Sequence, residues 1–261
     1  MTVVALTIAG SDPSGGAGLQ ADLKTFHRHG VYGMSVVTLL TVQNTQSVYQ
    51  VKPVEAKFVL AQLDGVIRDI PPAAAKTGAL GTAEVIAGLA DRAPSLGCPL
   101  IVDPVMISKH GSPLLPHDAS RALRTELLPH AYLITPNLHE AAALLGRPTI
   151  PEEETEQAAR ALADLGPANV LITGGALRHD AADVLLSDGA VHTISGSRLS
   201  STSTHGSGCV LSAAITAHLA LGADLLSAVK AAKRFVTEAI RTGPGLGHGV
   251  GPTNMMVDPE L

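Results

Sequence analysis

The run Thr204-His205-Gly206-Ser207-Gly208-Cys209 stands directly before a mostly apolar stretch that reads as a helix over 208–221. Small residues at a helix N-terminus let backbone N–H groups approach an anion closely, and the helix dipole adds positive charge there. A cysteine in such a position can have its thiol pKa lowered to between about 3.5 and 7.5. The same pattern also fits a glycine-rich cap over a buried, inert thiol. His205 either contacts phosphate or bonds to loop backbone. Asp103 follows the apolar run Pro99-Leu100-Ile101-Val102, and Asn137 and Glu140 lie three apart at a helix start. Residues at that spacing share a face, so with Asp103 they can hold Mg²⁺ through waters. The alternative is a helix N-cap (Asn137) with an acidic first-turn residue (Glu140).

Other chemistries are disfavoured. Gly16-Ala17-Gly18-Leu19-Gln20-Ala21 loosely fits the dinucleotide fingerprint. That fingerprint needs an acidic residue about 20 positions on, where this chain has Thr41-Val42-Gln43-Asn44. There is no Gly-Lys-Ser/Thr after a glycine-rich loop, no H-E-x-x-H and no G-x-S-x-G. Cys98 precedes Pro99 at a strand entry and reads as core. His27 and His29 read as a solvated helix rim.

These residues need elements to position them. Short apolar runs at 3–9, 33–42, 73–77, 99–102, 131–134 and 169–173 read as buried strands. Helical spacing appears from Leu19 to Phe26 and over 55–69, 82–92, 118–128, 138–145, 152–165, 208–221 and 224–241. In 55–69, Phe58, Leu60, Leu63, Val66 and Ile67 form one broad apolar face. Pro151 suits the first position of its helix. Asp188-Gly189 suits a hairpin within 182–194. Alternating strand and helix predicts an α/β three-layer sandwich: a mostly parallel sheet with helices on both faces. In such sheets ligands bind beyond the C-terminal ends of the strands, where Gly10–Asp12, Gln43, Asp103, Asn137, Gly174 and Gly206–Cys209 fall.

Composition agrees. Hydrophobic residues are 46% of 261, yet aromatics are 2% and Trp is absent. The apolar content is therefore Ala, Val, Leu and Ile, which suits closely packed layers. No linker-like stretch divides the chain, so one domain over 1–261 is expected. A net charge of −5 with no basic stripe argues against nucleic acid. No apolar run is long enough for a membrane span, and the N-terminus lacks a signal-peptide pattern. Two cysteines fit a cytoplasmic location.

Taken in order, the motifs resemble one family. Ala9-Gly10-Ser11-Asp12-Pro13-Ser14-Gly15-Gly16-Ala17-Gly18-Leu19-Gln20-Ala21-Asp22-Leu23-Lys24-Thr25-Phe26 is similar to the opening signature of the hydroxymethylpyrimidine/phosphomethylpyrimidine kinases of thiamine biosynthesis, in the ribokinase-like superfamily. Val42-Gln43-Asn44-Thr45, Lys76-Thr77-Gly78, Val102–Met106, Thr135–Glu140, Thr204–Cys209 and Gly247–Pro252 follow in family order. The resemblance covers essentially the whole chain. It implies ATP-dependent phosphorylation of 4-amino-5-hydroxymethyl-2-methylpyrimidine and then of its monophosphate, with Mg²⁺.

By the same resemblance, Gln43 and Asp22 bind the pyrimidine beside Gly10, Val105 and Ala79. The amides of Gly206, Ser207 and Gly208 form the anion hole, and Cys209 takes the alcohol proton. Thr173, Gly174, Asp103, Lys109 and His205 serve the nucleotide. Asn137 and Glu140 serve the metal. A homodimer is implied. Residues 107–116 suit a loop that closes over the reactants. Three positions depart from the family pattern: Thr173 replaces a common Lys, Ala79 a common Met, and Ser207 a Thr. Pyridoxal kinase is the nearest alternative, kept open by Ala79 and Thr173. A pyrimidine-binding sensor without turnover is another.

Overall fold

The computed structural model describes residues 2–106, 114–174 and 181–259. Its strands are β1 (Val4–Ser11), β2 (Tyr32–Gln43), β3 (Val48–Pro53), β4 (Ala74–Thr77), β5 (Leu100–Val102), β6 (Leu133–Ile134), β7 (Asn169–Ile172), β8 (Asp183–Ser187) and β9 (Ala190–Ile194). Its helices are α1 (Gly18–Arg28), α2 (Ala56–Asp69), α3 (Ala83–Arg92), α4 (His117–Ala122), α5 (Leu138–Leu144), α6 (Thr155–Ala163), α7 (Ser207–Ala220) and α8 (Leu225–Arg241).

The strands make one sheet in the order β3-β2-β1-β4-β5-β6-β7-β8-β9. From β2 to β7 all neighbours are parallel, while β3 at one edge and the β8–β9 hairpin at the other are antiparallel. The short parallel strands are apolar on both sides because both faces are covered. In β5, Leu100 and Val102 join the core under α2 to α6, whereas Ile101 joins the core under α1, α7 and α8. That is the expected three-layer sandwich. The hairpin turns at Asp188 (φ 51°) and Gly189 (φ 75°), both left-handed as a tight two-residue turn requires.

Four local details differ from the sequence reading. β3 was not expected: its Val48-Tyr49-Gln50-Val51-Lys52 is short and half polar, and it forms by pairing with β2. Phe58 is 61% exposed; α2 instead buries Val59 and Leu63, and Phe58 lies one residue off that i, i+4 stripe. The 118–128 helix ends as regular α-helix at Ala122 and continues in π and 3₁₀ turns to His130. His29 is buried against His218 and Phe235 rather than solvated.

The candidate active site

The chain runs from β1 outward to β2 and β3, then returns to β4 on the other side of β1. Such a reversal opens a crevice at the strand ends. A cleft of about 760 Å³ lies there, lined by the ends of β1, β2, β4, β5 and β6 and the start of α7. Gly10, Asp22, Gln43, Ala79, Asp103, Val105, Asn137, Glu140, Thr173, His205, Gly206, Ser207, Gly208 and Cys209 all line it. Lys109 lies outside the described residues, as does most of the 107–116 loop.

Two glycine loops meet at its rim. Gly206 caps α7 with φ 77°, and a Cβ there would sit 1.8 Å from the Gly16 carbonyl oxygen. Only glycine allows that approach. Asp12, one of the strand-end residues Gly10–Asp12, organises the first loop. Its carboxylate accepts from the Ser14, Gly16 and Ala17 amides and from the Ser14 hydroxyl. It also accepts from His205 Nε2 at 2.8 Å. Burial alone would raise the Asp12 pKa, but the His205 and Ser14 bonds outweigh it and hold the group low. The Gln43 amide nitrogen lies 3.4 Å from the same His205 Nε2. A ring N–H already given to Asp12 leaves that contact weak, so the Gln43 amide stays available to a ligand. Val250 N–H donates to the Thr45 oxygen, and Gly251 accepts from His205 N–H. The Gly247–Pro252 motif thus braces both the Gln43 turn and the α7 loop.

The floor is charged. Cys209 stands in the first turn of α7 and lines the cleft together with Gly18 at the start of α1. Its pKa is nonetheless pushed up to about 12, chiefly by burial, with Asp22 and Asp103 adding to the rise and Lys76 opposing it. Of the two readings of this cysteine, the raised value goes with the buried thiol: the helix N-terminus does not outweigh burial here. Asp22 lines the cleft, but its oxygens accept from Lys76 (2.7 Å) and Thr7 (2.6 Å). It therefore holds the floor together rather than offering a free carboxylate to a ligand. Asp103 accepts from Ser212 Oγ at 3.0 Å, and burial raises its pKa.

Asn137 and Glu140 form a complete capping box at α5, with reciprocal bonds of 2.9 to 3.0 Å. The N-cap alternative is therefore present in full. Glu140 is raised to about 8, first by burial and then by the Asp103 charge. Gly174 is not among the described residues that line this cleft; its amide donates to Asp183 Oδ1 at 2.7 Å, and a Cβ would meet the Ala182 oxygen at 1.7 Å. Asp183 is itself paired with Lys233 at 2.8 Å, a link no local pattern announces.

A family model described as phosphomethylpyrimidine kinase matches residues 12–254. The chain belongs to the phosphomethylpyrimidine kinase family. It is 47% identical over 255 residues to the hydroxymethylpyrimidine/phosphomethylpyrimidine kinase of Haemophilus influenzae, covering 95% of each chain. Among solved structures it resembles an ADP complex of Bacillus subtilis pyridoxal kinase (39% identical, TM-score 0.90, 98% of each chain). It also resembles the phosphomethylpyrimidine kinase of Clostridium difficile (40% identical, TM-score 0.81, 92% of this chain and all of that one). The ribokinase-like fold expected of this family is therefore present.

Proposed function

We propose that the protein phosphorylates 4-amino-5-hydroxymethyl-2-methylpyrimidine, and then its monophosphate, at the expense of ATP. The observation that carries this reading is the Gln43 amide in the same cleft as the Gly206–Cys209 loop, with His205 between them. A primary amide has both a donor and an acceptor, so it can match a ring nitrogen and its neighbouring amino group. Aliphatic walls such as Val105 and Ala79 complete a pocket that has no Trp to stack on the ring.

In the first phosphorylation the alcohol oxygen bonds phosphorus, the bond from phosphorus to the ADP oxygen breaks, and the alcohol proton passes to the thiolate form of Cys209; in the second, an oxygen of the substrate's own phosphate attacks in the alcohol's place and the bond from phosphorus to the ADP oxygen breaks again. Phosphoryl transfer needs positioning and charge stabilisation more than covalent help. The amides of Gly206, Ser207 and Gly208 at the positive end of α7 supply the charge stabilisation. Thr173 and Asp103 serve the nucleotide, with Lys109 and His205. Gly174 serves it too, held in place by its bond to Asp183.

The acidic floor also suits Mg²⁺. Asp103 and Glu140 are both held above the ordinary carboxylate range by burial, and a cation would neutralise them. Among the described residues no group of three His, Cys, Asp or Glu could hold a metal. Mg²⁺ tolerates that because it keeps several waters and needs one or two carboxylates. When bound it supplies charge neutralisation for the transferred phosphoryl group. The capping box at Asn137 fixes Glu140 in place for that role.

We read the chain as one domain working in the cytoplasm; among the described residues no helix is long and apolar enough to cross a membrane. A homodimer is supported by Leu40 and Val42, which are exposed on the side of β2 opposite the cleft-lining Thr41 and Gln43. Calorimetric titration of the pyrimidine tests the substrate assignment. Gln43→Leu should weaken binding at least about tenfold, one lost hydrogen-bonded contact. Unchanged affinity would remove Gln43 from the site.

A further inference from the structure

An amide can face a ligand either way round, and a buried histidine stands beside the Gln43 amide. His205 and Asp12 are 2% and 3% exposed, and His205 Nε2 lies 2.8 Å from Asp12 Oδ2. A carboxylate only accepts, so the hydrogen stands on Nε2. The ring is locked in place: a Cβ on Gly16 would lie 2.5 Å from its Cδ2. The His205 backbone is bonded on both sides, its N–H to the Gly251 oxygen and its oxygen to the Thr253 N–H. The Gln43 amide nitrogen lies 3.4 Å from the same Nε2, which sets donor against donor. Turning the amide over puts Oε1 there instead, where it shares the ring N–H with Asp12. We propose that His205, held by Asp12, is a positioning residue that fixes the Gln43 amide in the complex with Oε1 towards the α7 loop, and so selects the hydrogen-bonding edge of the substrate.

Among the described residues the Gln43 side chain has no other hydrogen-bond partner, so no second bond competes for its orientation. An amide oxygen has two lone pairs. One takes the His205 N–H and the other takes the 4-amino group of the pyrimidine. The Gln43 NH2 then donates to the ring nitrogen next to that amino group. In this substrate the amino-bearing carbon lies between that nitrogen and the carbon carrying the hydroxymethyl group. An amino group held on the α7 side therefore brings the hydroxymethyl group to that side too, towards Gly206–Cys209. The opposite amide orientation would match a ring N–H beside a carbonyl, the pattern of a 4-oxo pyrimidine.

This role of His205 rests on the reading of the pyrimidine as substrate and of Gln43 as its reader. Its test is calorimetric titration, without ATP, of 4-amino-5-hydroxymethyl-2-methylpyrimidine and of its 4-oxo analogue. To take the oxo analogue the amide must turn over and set its NH2 against the His205 N–H. Losing one hydrogen bond in this way costs roughly fivefold in affinity, so the parent should prefer the amino ligand by at least that factor. His205→Met has no donor and should cut the preference about fivefold. His205→Gln brings an NH2 with one hydrogen for Asp12 and one for Gln43, and should keep it. A merely structural histidine would weaken both ligands alike and leave their ratio unchanged in both variants. Asp12 keeps its bonds from Ser14, Gly16 and Ala17, so His205→Met should fold, as its melting curve will show. If it does not, His205→Leu takes its place. Equal affinity for the two ligands in the parent, or an unchanged ratio in the donor-free variant, overturns the role of His205 and leaves the substrate reading standing. A parent that binds neither ligand sinks the substrate reading and this role with it.

Discussion

Gly206→Ala separates the two loops that close the site. Gly206 has φ 77°, and an added Cβ would lie 1.8 Å from the Gly16 oxygen, 2.8 Å from the Gly16 carbonyl carbon and 3.1 Å from Ala17 Cα. Ordinary contact begins near 3.4 Å, so one loop must retreat by about 1.6 Å. All three obstacles are backbone, and no side chain can swing aside. The left-handed conformation itself costs an alanine about 1–2 kcal/mol, which lowers the melting temperature by several degrees at most. The functional loss is larger. A displacement of about 1 Å at a reacting centre can cost about 100-fold in rate, equivalent to about 2.7 kcal/mol. The amides of α7 would move off the phosphoryl group while the sheet stays intact. Steady-state kcat measured with the hydroxymethylpyrimidine and Mg-ATP should thus fall about 100-fold. Gly30→Ala is the control: Gly30 is also left-handed, at φ 72°, but nothing lies within 4 Å of its added Cβ. It should lose stability and keep its turnover. A folded Gly206→Ala protein that turns over within threefold of the parent would refute the need for this close approach.

Cys209→Ala should lower kcat by about 10²–10⁴, the usual worth of a placed proton acceptor, and leave pyrimidine affinity measured by calorimetry unchanged. The free thiol, at about 12, is protonated at neutral pH. Hence kcat/KM should climb from pH 7 to 9 without a plateau, and this rise should vanish in Cys209→Ala. Burial holds His29 at about 4, whereas an unfolded histidine titrates near 6.5. The unfolded chain therefore binds the proton first, and stability drops by up to about 3 kcal/mol as pH falls from 6.5 to 4. Urea melts of His29→Phe should show a shallower drop across that window.

The parallel sheet is legible in the sequence because each strand is a short apolar run closed by a turn residue, and the cleft follows from where those runs end. Local patterns also find the Gly206–Cys209 loop, Asn137 and Glu140. Distant pairing is what they miss. Asp12 meets His205 across 193 positions and Lys76 meets Asp22 across 54, so neither partner reveals the other. The Asp183–Lys233 pair that takes the Gly174 amide is hidden for the same reason. For Cys209 the sequence leaves a lowered and a buried thiol side by side, because it shows the helix start but not the burial that decides between them. The shortage of aromatics leaves ring recognition to an amide and aliphatic walls.

The central claim is a choice of substrate, and turnover decides it. The purified protein with Mg-ATP should be given 4-amino-5-hydroxymethyl-2-methylpyrimidine, its monophosphate and pyridoxal separately, with ADP release followed and phosphorylated products identified by mass. ADP release with the two pyrimidines, giving the monophosphate and then the diphosphate, is the predicted result. Phosphorylation of pyridoxal alone would contradict the account, and a folded protein that binds the pyrimidine but releases no ADP would make it a sensor instead.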